Sequence, residues 1–336
     1  MSQLKTNSIT NISNTGDPNI VLGDSGDVQV QSLNSGPLGG FRNQLINGNF
    51  QFWQRDTSFT AAGYSSDRWY LSGTAGTFSR GVNAALGQVY SASFSATQDG
   101  HIQQGVELPL TGAPGPFMSG SEWTFSVYIK TTDNPVGKDV DIFFRDSVAS
   151  ETNAVRATAA APTLVATGDP DSNGFTRYSA TFTITAAPSG TNTCLTVKLL
   201  GGTSYGVSVD YSAAQLEPGP VATPFEDRPI GTELALCQRY YTSGSLSSYG
   251  GSRNTTSDPV FRHAATAFTG WYAATLIYPQ PLRATPSLAF SNLDYRNCSS
   301  LAINEPNSII GTTLTVTTSA ATNYSVAATF EADAEL

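Results

Sequence analysis

The chain has 336 residues, of which 39% are hydrophobic and only 13% charged, and it contains 31 glycines. This length provides for about two domains, each with its own core. The formal net charge is −9, and no cluster of Lys and Arg forms the basic stripe that follows nucleic-acid phosphates, which argues against a nucleic-acid partner. No stretch approaches the about 20 apolar residues of a membrane-spanning helix, and the polar start does not resemble a signal peptide, so we expect no membrane insertion.

Residues 1–40 combine short apolar runs with tight turns. The run Ile20-Val21-Leu22 and the later Val28 and Val30 are separated by Asp-Ser-Gly-Asp, which predicts short strands joined by turns. So few apolar residues cannot form a core of their own. The segment is therefore either disordered or buried against identical copies or another protein, and the repeated pattern favours intertwining between chains. The following SGPLGG is predicted to be a linker.

Between residues 41 and 229, apolar and polar residues alternate with a period of two. In WTFSVYIKTT, for example, Trp123, Phe125 and Val127 share one face of a predicted strand, while Thr124 takes the other. The same alternation recurs in RYSATFTITA, CLTVKLL and GVSVDY. Strands with one apolar and one solvated face build antiparallel sandwiches, so this region is predicted to be an all-β sandwich.

Residues 230–241, IGTELALCQRYY, are predicted to form a helix. Thr232 is expected to be the N-cap, Glu233 favours the positive first turn, and Cys237 and Tyr241 lie on one face. The helix stands between two β-rich regions, so it is predicted to be a connector.

Residues 242–336 return to strand patterns. GWYAATLIYP, TLTVTT and NYSVAATFEADAEL alternate between apolar and polar residues. We predict a second, smaller β-sandwich.

Three cysteines, Cys194, Cys237 and Cys298, are widely spaced and odd in number. This pattern fits neither a disulfide framework nor a zinc site. We predict buried free thiols.

Catalytic signatures are weak, and we expect no enzymatic activity and no cofactor. The chain has two histidines, His101 and His263, in different predicted domains and without a nucleophile motif. In KDVDIFF, Asp139 and Asp141 project from one face of a predicted strand. Three interpretations of this pair remain open: a solvated sheet face, a structural calcium site, or the acid and base of a glycosidase.

Aromatic residues are the better candidates for binding. Sugar-binding surfaces place Trp and Tyr against pyranose rings and use polar groups to read the hydroxyls. Tyr249 and Arg253 lie in SLSSYGGSR, a predicted loop without a core role, and loops on a rigid sandwich commonly carry recognition groups. With Trp271, they are the predicted carbohydrate-binding residues. The other tryptophans sit in strand patterns and are predicted to fill cores: Trp53, Trp69 and Trp123.

Two long motifs resemble a module common in bacteriophage and prophage tail-fibre-type proteins. NQLINGNFQFWQRDTSFTAAGYSSDRWYL, at residues 43–71, resembles its opening, with an NGNF-x-x-WQR start followed by DRW. AAQLEPGPVATPFEDRPIGTELALCQRYY, at residues 213–241, resembles its end and helical connector. PLRATPSLAF and the final FEADAEL are similar to motifs of the C-terminal domain that usually follows.

This resemblance implies a carbohydrate-binding-module-like jelly roll at residues 41–229, a connector helix at 230–241 and a β-sandwich tip domain at 242–336. It also implies a homotrimer that is made in the bacterial cytoplasm and attached to other virion proteins through residues 1–40. The expected function is host attachment, in which a tail fibre binds a cell-surface glycan. The alternatives are a purely structural capsid-surface fibre or tail adaptor, and a polysaccharide depolymerase.

Overall fold

The computed structural model describes residues 8–9, 20–22, 28–30, 41–73, 76–96, 100–109, 112–150, 153–201, 208–250, 271–296, 298–305, 308–318 and 324–335. The chain divides into two compact units. Unit 1 contains Met1–Gln51, Thr60–Gly63 and Leu71–Arg228, and unit 2 contains Phe52–Phe59, Tyr64–Tyr70 and Pro229–Leu336. Regular structure is almost entirely antiparallel β-sheet in the described residues, which confirms the all-β prediction.

The short strands predicted within residues 1–40 are present. They are β1 (Ser8–Ile9), β2 (Ile20–Leu22) and β3 (Val28–Val30), and they pair antiparallel in that order. The predicted turns and linker between and after them lie outside the described residues.

The described part of residues 41–228 contains thirteen further strands and a short 3-10 turn at Ala85–Gly87. The strands, in chain order, are β4 (Ser58–Phe59), β5 (Gly63–Tyr64), β6 (Tyr70–Ser72), β7 (Gly76–Gly81), β8 (Ser91–Ala96), β9 (Gly100–Glu107), β10 (Glu122–Thr131), β11 (Val140–Arg145), β12 (Val155–Arg156), β13 (Val165–Ala166), β14 (Thr176–Thr183), β15 (Cys194–Gly201) and β16 (Ser208–Pro218).

Unit 1 is a sandwich of two antiparallel sheets. The first sheet contains β13, β14, β10, β16, β8 and β7 in spatial order, and the second contains β12, β11, β15 and β9. Along the chain, the long strands from β8 to β16 alternate between the two sheets. This connectivity is that of a jelly roll, so the predicted jelly-roll β-sandwich is confirmed.

The core of unit 1 lies between the sheets, as the alternation in β10 predicts. Phe125 and Val127 of that strand are fully buried. The three tryptophans that were predicted to fill cores are all buried, which confirms that prediction: Trp53, Trp69 and Trp123. The opposite face of β10 was predicted to be solvated, and this is wrong for Thr124 and Ser126, which are each 1% exposed. Another part of unit 1 covers them.

That cover is a clasp formed by the first and last segments of unit 1, residues 41–50 and 217–228. Glu217 accepts a hydrogen bond from the Thr223 backbone N–H at 2.9 Å, and the Arg42 guanidinium lies 2.9 Å from its carboxylate. Glu226 accepts one from the Asn43 backbone N–H at 2.7 Å. These contacts join the two segments. Residues 217–228 cover the outer face of the first sheet, where the Thr124 hydroxyl donates to the Gly219 carbonyl at 2.7 Å, and residues 43–48 run beside β16, where the Gln44 N–H donates to the Leu216 carbonyl at 2.8 Å. This arrangement gives the NQLING and QLEPG…ATPFE motifs a structural role.

Gly48 of the clasp contacts β16 at a position where the backbone of that strand is distorted. Ala213 has a positive φ of 49°, and the Ala214 N–H donates to the Gly48 carbonyl at 2.8 Å. A Cβ at position 48 would lie 2.1 Å from the Ala214 carbonyl oxygen. Glycine is therefore required by the close approach of two backbone segments.

Unit 2 contains one helix and a second sandwich. Helix α1 spans Ile230–Gln238, and the strands are β17 (Tyr241–Gly250), β18 (Trp271–Ile277), β19 (Ser287–Arg296), β20 (Cys298–Glu305), β21 (Gly311–Thr318) and β22 (Tyr324–Asp333). One sheet has the order β17-β22-β19 and the other β18-β21-β20. Leu246, Leu276, Leu314 and Phe330 come from both sheets and share one buried cluster, so the two sheets face each other across a core.

The helix differs from its prediction at both ends. Pro229 occupies the N-cap position without a side-chain cap, so the predicted capping by Thr232 is wrong, and the Thr232 N–H instead donates to the Pro229 carbonyl at 2.8 Å. The helix ends at Gln238, and Tyr241 already pairs with Asp333 as the first residue of β17. Strand pairing with the distant C-terminal segment therefore ends the helix earlier than its local pattern predicts.

The WQR and DRW motifs contribute buried arginines to unit 2. Arg68 forms an ion pair with Glu335, and its guanidinium lies 3.5 Å from the centre of the Tyr240 ring. Burial alone would lower the pKa of the Arg68 guanidinium, but Glu335 beside it raises that pKa above the usual range. Arg55 of the WQR motif lies 2.9 Å from Asp333. The motif arginines thus stabilise the C-terminal strand instead of facing solvent.

The Gly48→Ala substitution should destabilise unit 1. Because the new methyl group would overlap the Ala214 carbonyl, we expect a loss of about 1–3 kcal/mol in the free energy of unfolding. Chemical denaturation of the full chain measures it. Gly168→Ala is the matched control, since a Cβ there meets no atom within 4 Å. Equal stability of the two variants would contradict the close approach at Gly48.

The Glu335→Gln substitution should destabilise unit 2 by about 3–5 kcal/mol, because it leaves the buried Arg68 charge without its carboxylate partner. Thermal and chemical unfolding measure this loss. Glu331→Gln removes an exposed carboxylate from the same strand and serves as the control. If both variants unfold alike, the Arg68–Glu335 pair does not stabilise the unit.

Candidate functional site

The second sheet of unit 1 places polar side chains on its outer face. In β11, Ile142 and Phe144 are fully buried in the core, so the alternate residues Asp141 and Phe143 lie on the opposite face. Both are only half-buried. This face therefore remains accessible, whereas the outer face of the first sheet is covered by the clasp.

Strand register brings two cations to Asp141. Lys198 of β15 pairs with Asp141, and Arg156 of β12 pairs with Phe143. The Arg156 Nη1 atom is 3.1 Å from Asp141 Oδ1, and the Lys198 Nζ atom is 3.9 Å from Asp141 Oδ2. One carboxylate thus holds two cations from neighbouring strands in place.

His101 completes the arrangement from β9. Its neighbour Ile102 is buried in the core, so His101 lies on the outer face, where it is half-buried. We call Asp141, Phe143, Arg156, Lys198 and His101 the polar strip. Its members come from all four strands of the second sheet that were described above, and a rigid sheet fixes their spacing.

Burial, and after it the nearby charges of Lys198 and Arg145, lower the pKa of His101 to about 3. The imidazole is therefore neutral at physiological pH. Its Nε2 atom is buried and makes no hydrogen bond to any residue that the structure describes. A neutral imidazole has one nitrogen that donates and one that accepts a hydrogen bond, so its unpartnered nitrogen is a potential contact for a polar ligand.

Phe143 provides the apolar part of the strip. The Arg156 guanidinium lies 4.6 Å from the centre of its ring, and the Arg145 guanidinium lies 5.2 Å from it. These cation–π contacts hold the ring and the two arginines in a fixed arrangement.

Beyond Phe143, the outer face is closed. Arg145 and Gln103 are buried, and Arg145 Nη1 donates to Gln103 Oε1 at 3.0 Å. Gln103 in turn donates to the Val148 carbonyl at 2.7 Å, and Val148 packs over Gly105, where a Cβ would lie 2.5 Å from its methyl group. Residues 146–150 thus close one end of the face and leave the polar strip open.

The side chains of the strip remain reachable from solvent. Arg156 is 38% exposed, Asp141 21% and Lys198 18%. Donors, acceptors and an aromatic ring therefore lie along one half-open surface. Such a surface is suited to a hydroxylated ligand, which needs several directional hydrogen bonds and some apolar contact.

Of the two aspartates singled out from sequence, only Asp141 belongs to this site. Asp139 is exposed and precedes β11, where it bridges to Thr163. The ion pairs of Asp141 in the described residues are with two cations. No group of three or more His, Cys, Asp and Glu residues in this part of the chain could hold a metal ion.

The three predicted carbohydrate-binding residues lie in unit 2, and their binding role stays a prediction. Tyr249 is in β17 and pairs with Ser325, so the predicted loop is wrong at this position because strand pairing extends through it. Trp271 begins β18 in the other sheet and pairs with Thr317. Arg253 lies outside the described residues, as do the side chains of Tyr249 and Trp271.

Four members of the strip were missed from sequence: Phe143, Arg156, Lys198 and His101. Each carries only a weak local signal, such as the single lysine within the apolar strand CLTVKLL. A charged residue in an otherwise apolar strand marks an outer face, but it does not show which residues of other strands lie beside it.

The cysteines are free, as predicted. Cys194 and Cys237 are buried and Cys298 is half-buried, so the prediction of full burial is wrong for the last. Burial raises the pKa of Cys237, which keeps its thiol protonated.

None of the described helical residues forms a segment long and apolar enough to cross a membrane.

No model of a known protein family matches the chain, and no curated protein matches it. Among solved structures, a cyclase from Fischerella sp. TAU is 14% identical with a TM-score of 0.34, and the match covers 53% of this chain and 96% of the cyclase. A xylan-binding domain from Paenibacillus barcinonensis is 12% identical with a TM-score of 0.28, covering 49% and 94%. The N-terminal tandem domain of the same Paenibacillus protein is 11% identical with a TM-score of 0.29, covering 84% and 90%. Identities and TM-scores this low carry no argument about function, which therefore rests on the residues of the chain itself.

Proposed function

We propose that this chain is a structural fibre protein of a bacteriophage virion that attaches to its host by binding a cell-surface glycan. The polar strip on the outer face of the second sheet of unit 1 is the proposed glycan-binding site. Binding, without hydrolysis, is the proposed activity.

The observation that carries the proposal is the polar strip itself. Asp141 presents an acceptor, the cationic donors Arg156 and Lys198 each lie within 4 Å of it, and Phe143 lies beside Arg156. A sugar offers neighbouring hydroxyls that both donate and accept hydrogen bonds, as well as C–H groups that pack against an aromatic ring. The strip matches both properties of that ligand class.

The virion part of the proposal is supported by the resemblance of residues 43–71 and 213–241 to tail-fibre-type proteins. In unit 1, these motifs form the clasp and the glycine contact, and in unit 2 they supply Arg55 and Arg68. These motifs therefore stabilise the fold of the module, and their resemblance indicates which type of protein carries it. The proposed ligand contacts are made by residues outside the motifs.

The Phe143→Ala substitution should weaken binding of the labelled full-length protein to host cells by about tenfold per site, because it removes the apolar surface of the strip. Flow cytometry over a concentration series measures the apparent affinity. Tyr90→Ala is the matched control, since Tyr90 is also half-buried and has an arginine, Arg80, 4.4 Å from its ring centre.

A Trp271→Ala variant in the same series tests the alternative location in unit 2. Loss of cell binding in this variant alone would move the site away from the strip. If the unsubstituted protein binds no host cell, the glycan-binding role is wrong, and the purely structural fibre or adaptor becomes the better explanation.

We further propose that the fibre is a homotrimer that attaches to the virion through residues 1–40. Strands β1 to β3 contain only eight residues, which is too few for a separate core, so a partner is expected to cover them. Light scattering of the purified chain should give the mass of three chains. A stable monomer at micromolar concentration would contradict the trimer.

A further inference from the structure

We propose that the polar strip selects a saccharide that carries a carboxylate, and that Arg156 and Lys198 together bind this acidic group. The inference rests on the proposed function, because it specifies the ligand class of the same site. It extends that function from glycans in general to acidic glycans such as those built from uronic or sialic acids.

Lys198 provides the first reason. Its ammonium group is 3.9 Å from Asp141, which is an ion-pair distance but too long for a hydrogen bond. Its side chain is 18% exposed, and no hydrogen bond connects Nζ with any residue that the structure describes. The ammonium group thus forms one ion pair at long distance, and its three N–H donors make no hydrogen bond within the described part of the protein. An anionic ligand oxygen is the partner that best satisfies them.

Arg156 provides the second reason. It uses Nη1 to contact Asp141, and its side chain is 38% exposed. A guanidinium has five donors in a planar fork, so most of that fork remains available for a second carboxylate. The contact with Phe143 holds the guanidinium in place, which reduces the entropy lost when a ligand binds.

The balance of charge provides the third reason. Arg156 and Lys198 share one carboxylate, that of Asp141, and Arg145 adds a further positive charge behind Phe143. Two further carboxylates lie on this side in the described residues: Asp139, which is exposed and precedes β11, and Glu107 at the far end of β9, opposite Cys194. Counting Arg145, the three cations still outnumber the two carboxylates nearest the strip, Asp141 and Asp139. The lowered pKa of His101, caused first by burial and then by Lys198 and Arg145, agrees with a positive local potential. This potential occurs in a chain whose net charge is −9.

The experiment compares acidic and neutral forms of the same saccharides. Isothermal titration calorimetry of the full-length protein is carried out with hexagalacturonate and with sialyllactose, each against its carboxyl methyl ester. We expect at least one acid to bind at least tenfold more tightly than its ester, with an affinity that falls as the salt concentration rises. If neither acid binds more tightly than its ester, the inference is overturned.

Single substitutions test the assigned roles. Lys198→Gln and Arg156→Gln should each weaken binding of the acid by about tenfold and binding of the ester by clearly less, because each removes a positive charge but keeps a side-chain N–H that can still donate to a sugar hydroxyl. Lys138→Gln is the matched control, since Lys138 forms a similar half-exposed ion pair with Asp133 at 3.3 Å. Unchanged melting temperatures would show that the variants remain folded.

Asp141→Asn distinguishes two roles of the carboxylate by the sign of its effect. If Arg156 and Lys198 bind an acidic group, Asp141 competes with the ligand, so its neutral isostere should tighten binding of the acid severalfold. If Asp141 instead reads neutral sugar hydroxyls, the same substitution should weaken binding of acid and ester alike, which would overturn the inference.

Host-cell binding of three variants distinguishes a failure of this inference from a failure of the proposed function. If host-cell binding is lost in Phe143→Ala but unchanged in Lys198→Gln and Arg156→Gln, the glycan site stands and the acidic selectivity is wrong. If host-cell binding is unchanged in all three variants, the site itself is wrong.

Discussion

Unit 1 depends on two buried carboxylates that join the beginning of its fold to its end. Glu217 is fully buried and contacts Arg42, and Glu226 accepts hydrogen bonds from the backbone of Asn43 and Phe41. A buried carboxylate is costly unless it is paired and hydrogen-bonded. Thr223 of the same segment donates to Glu217, but the cation that pairs with Glu217 and the backbone donors to Glu226 come from the opposite end of the unit. The two carboxylates are fully partnered only when both segments are in place, so this contact favours cooperative folding of the unit.

The clasp also determines where binding can occur. It covers the outer face of the first sheet, where Thr124, Ser126, Ser212 and Gln215 are all buried. The second sheet has a smaller cover, formed by residues 146–150 around Val148, which closes only one end. An open sheet face can hold several side chains at spacings set by strand register, and the polar strip occupies this remaining open face.

Sequence predicted those parts of the fold that depend on local patterns. Period-two alternation identified the core face of β10, including Trp123, whereas Trp53 and Trp69 are buried although they lie outside the strands. The opposite face of β10 could not be predicted, since its cover comes from distant positions: the Gly219 carbonyl that accepts a hydrogen bond from the Thr124 hydroxyl lies 95 positions away. The end of the helix and the strand at Tyr249 were missed for a similar reason, because each is set by pairing with β22.

The candidate site shows the same limit. Asp141 was singled out from its alternation with Val140 and Ile142, but the sequence associated it with Asp139, as part of a solvated sheet face, a calcium site or a catalytic pair. Its actual neighbours are Arg156, 15 positions away, and Lys198 on the next strand. The jelly-roll connectivity makes those strands neighbours, and no short sequence motif predicts this neighbourhood. Sequence therefore identified one acidic residue of the site, whereas the structure was needed to show that cations surround it.

The net charge of −9 and the cationic strip act over different distances. The Debye length at physiological ionic strength is about 8 Å, so at longer range the charges of protein and ligand are largely screened from each other. The attraction of Arg156 and Lys198 for an anion therefore operates at contact, where shape and hydrogen bonds also select the ligand. The acidic remainder of the surface disfavours broad adsorption to polyanions.

Such a site need not bind tightly by itself. Each strip offers a few contacts on a half-open surface, which favours modest affinity and rapid release. In the proposed trimer three strips act together, and linked binding of this kind raises the overall affinity by about 10²–10⁴ when the ligand repeats at a matching spacing. A repeating acidic polysaccharide on a cell surface meets that condition, whereas isolated carboxylates in solution do not. Selectivity would then arise from the repetition of the ligand as much as from the chemistry of one strip.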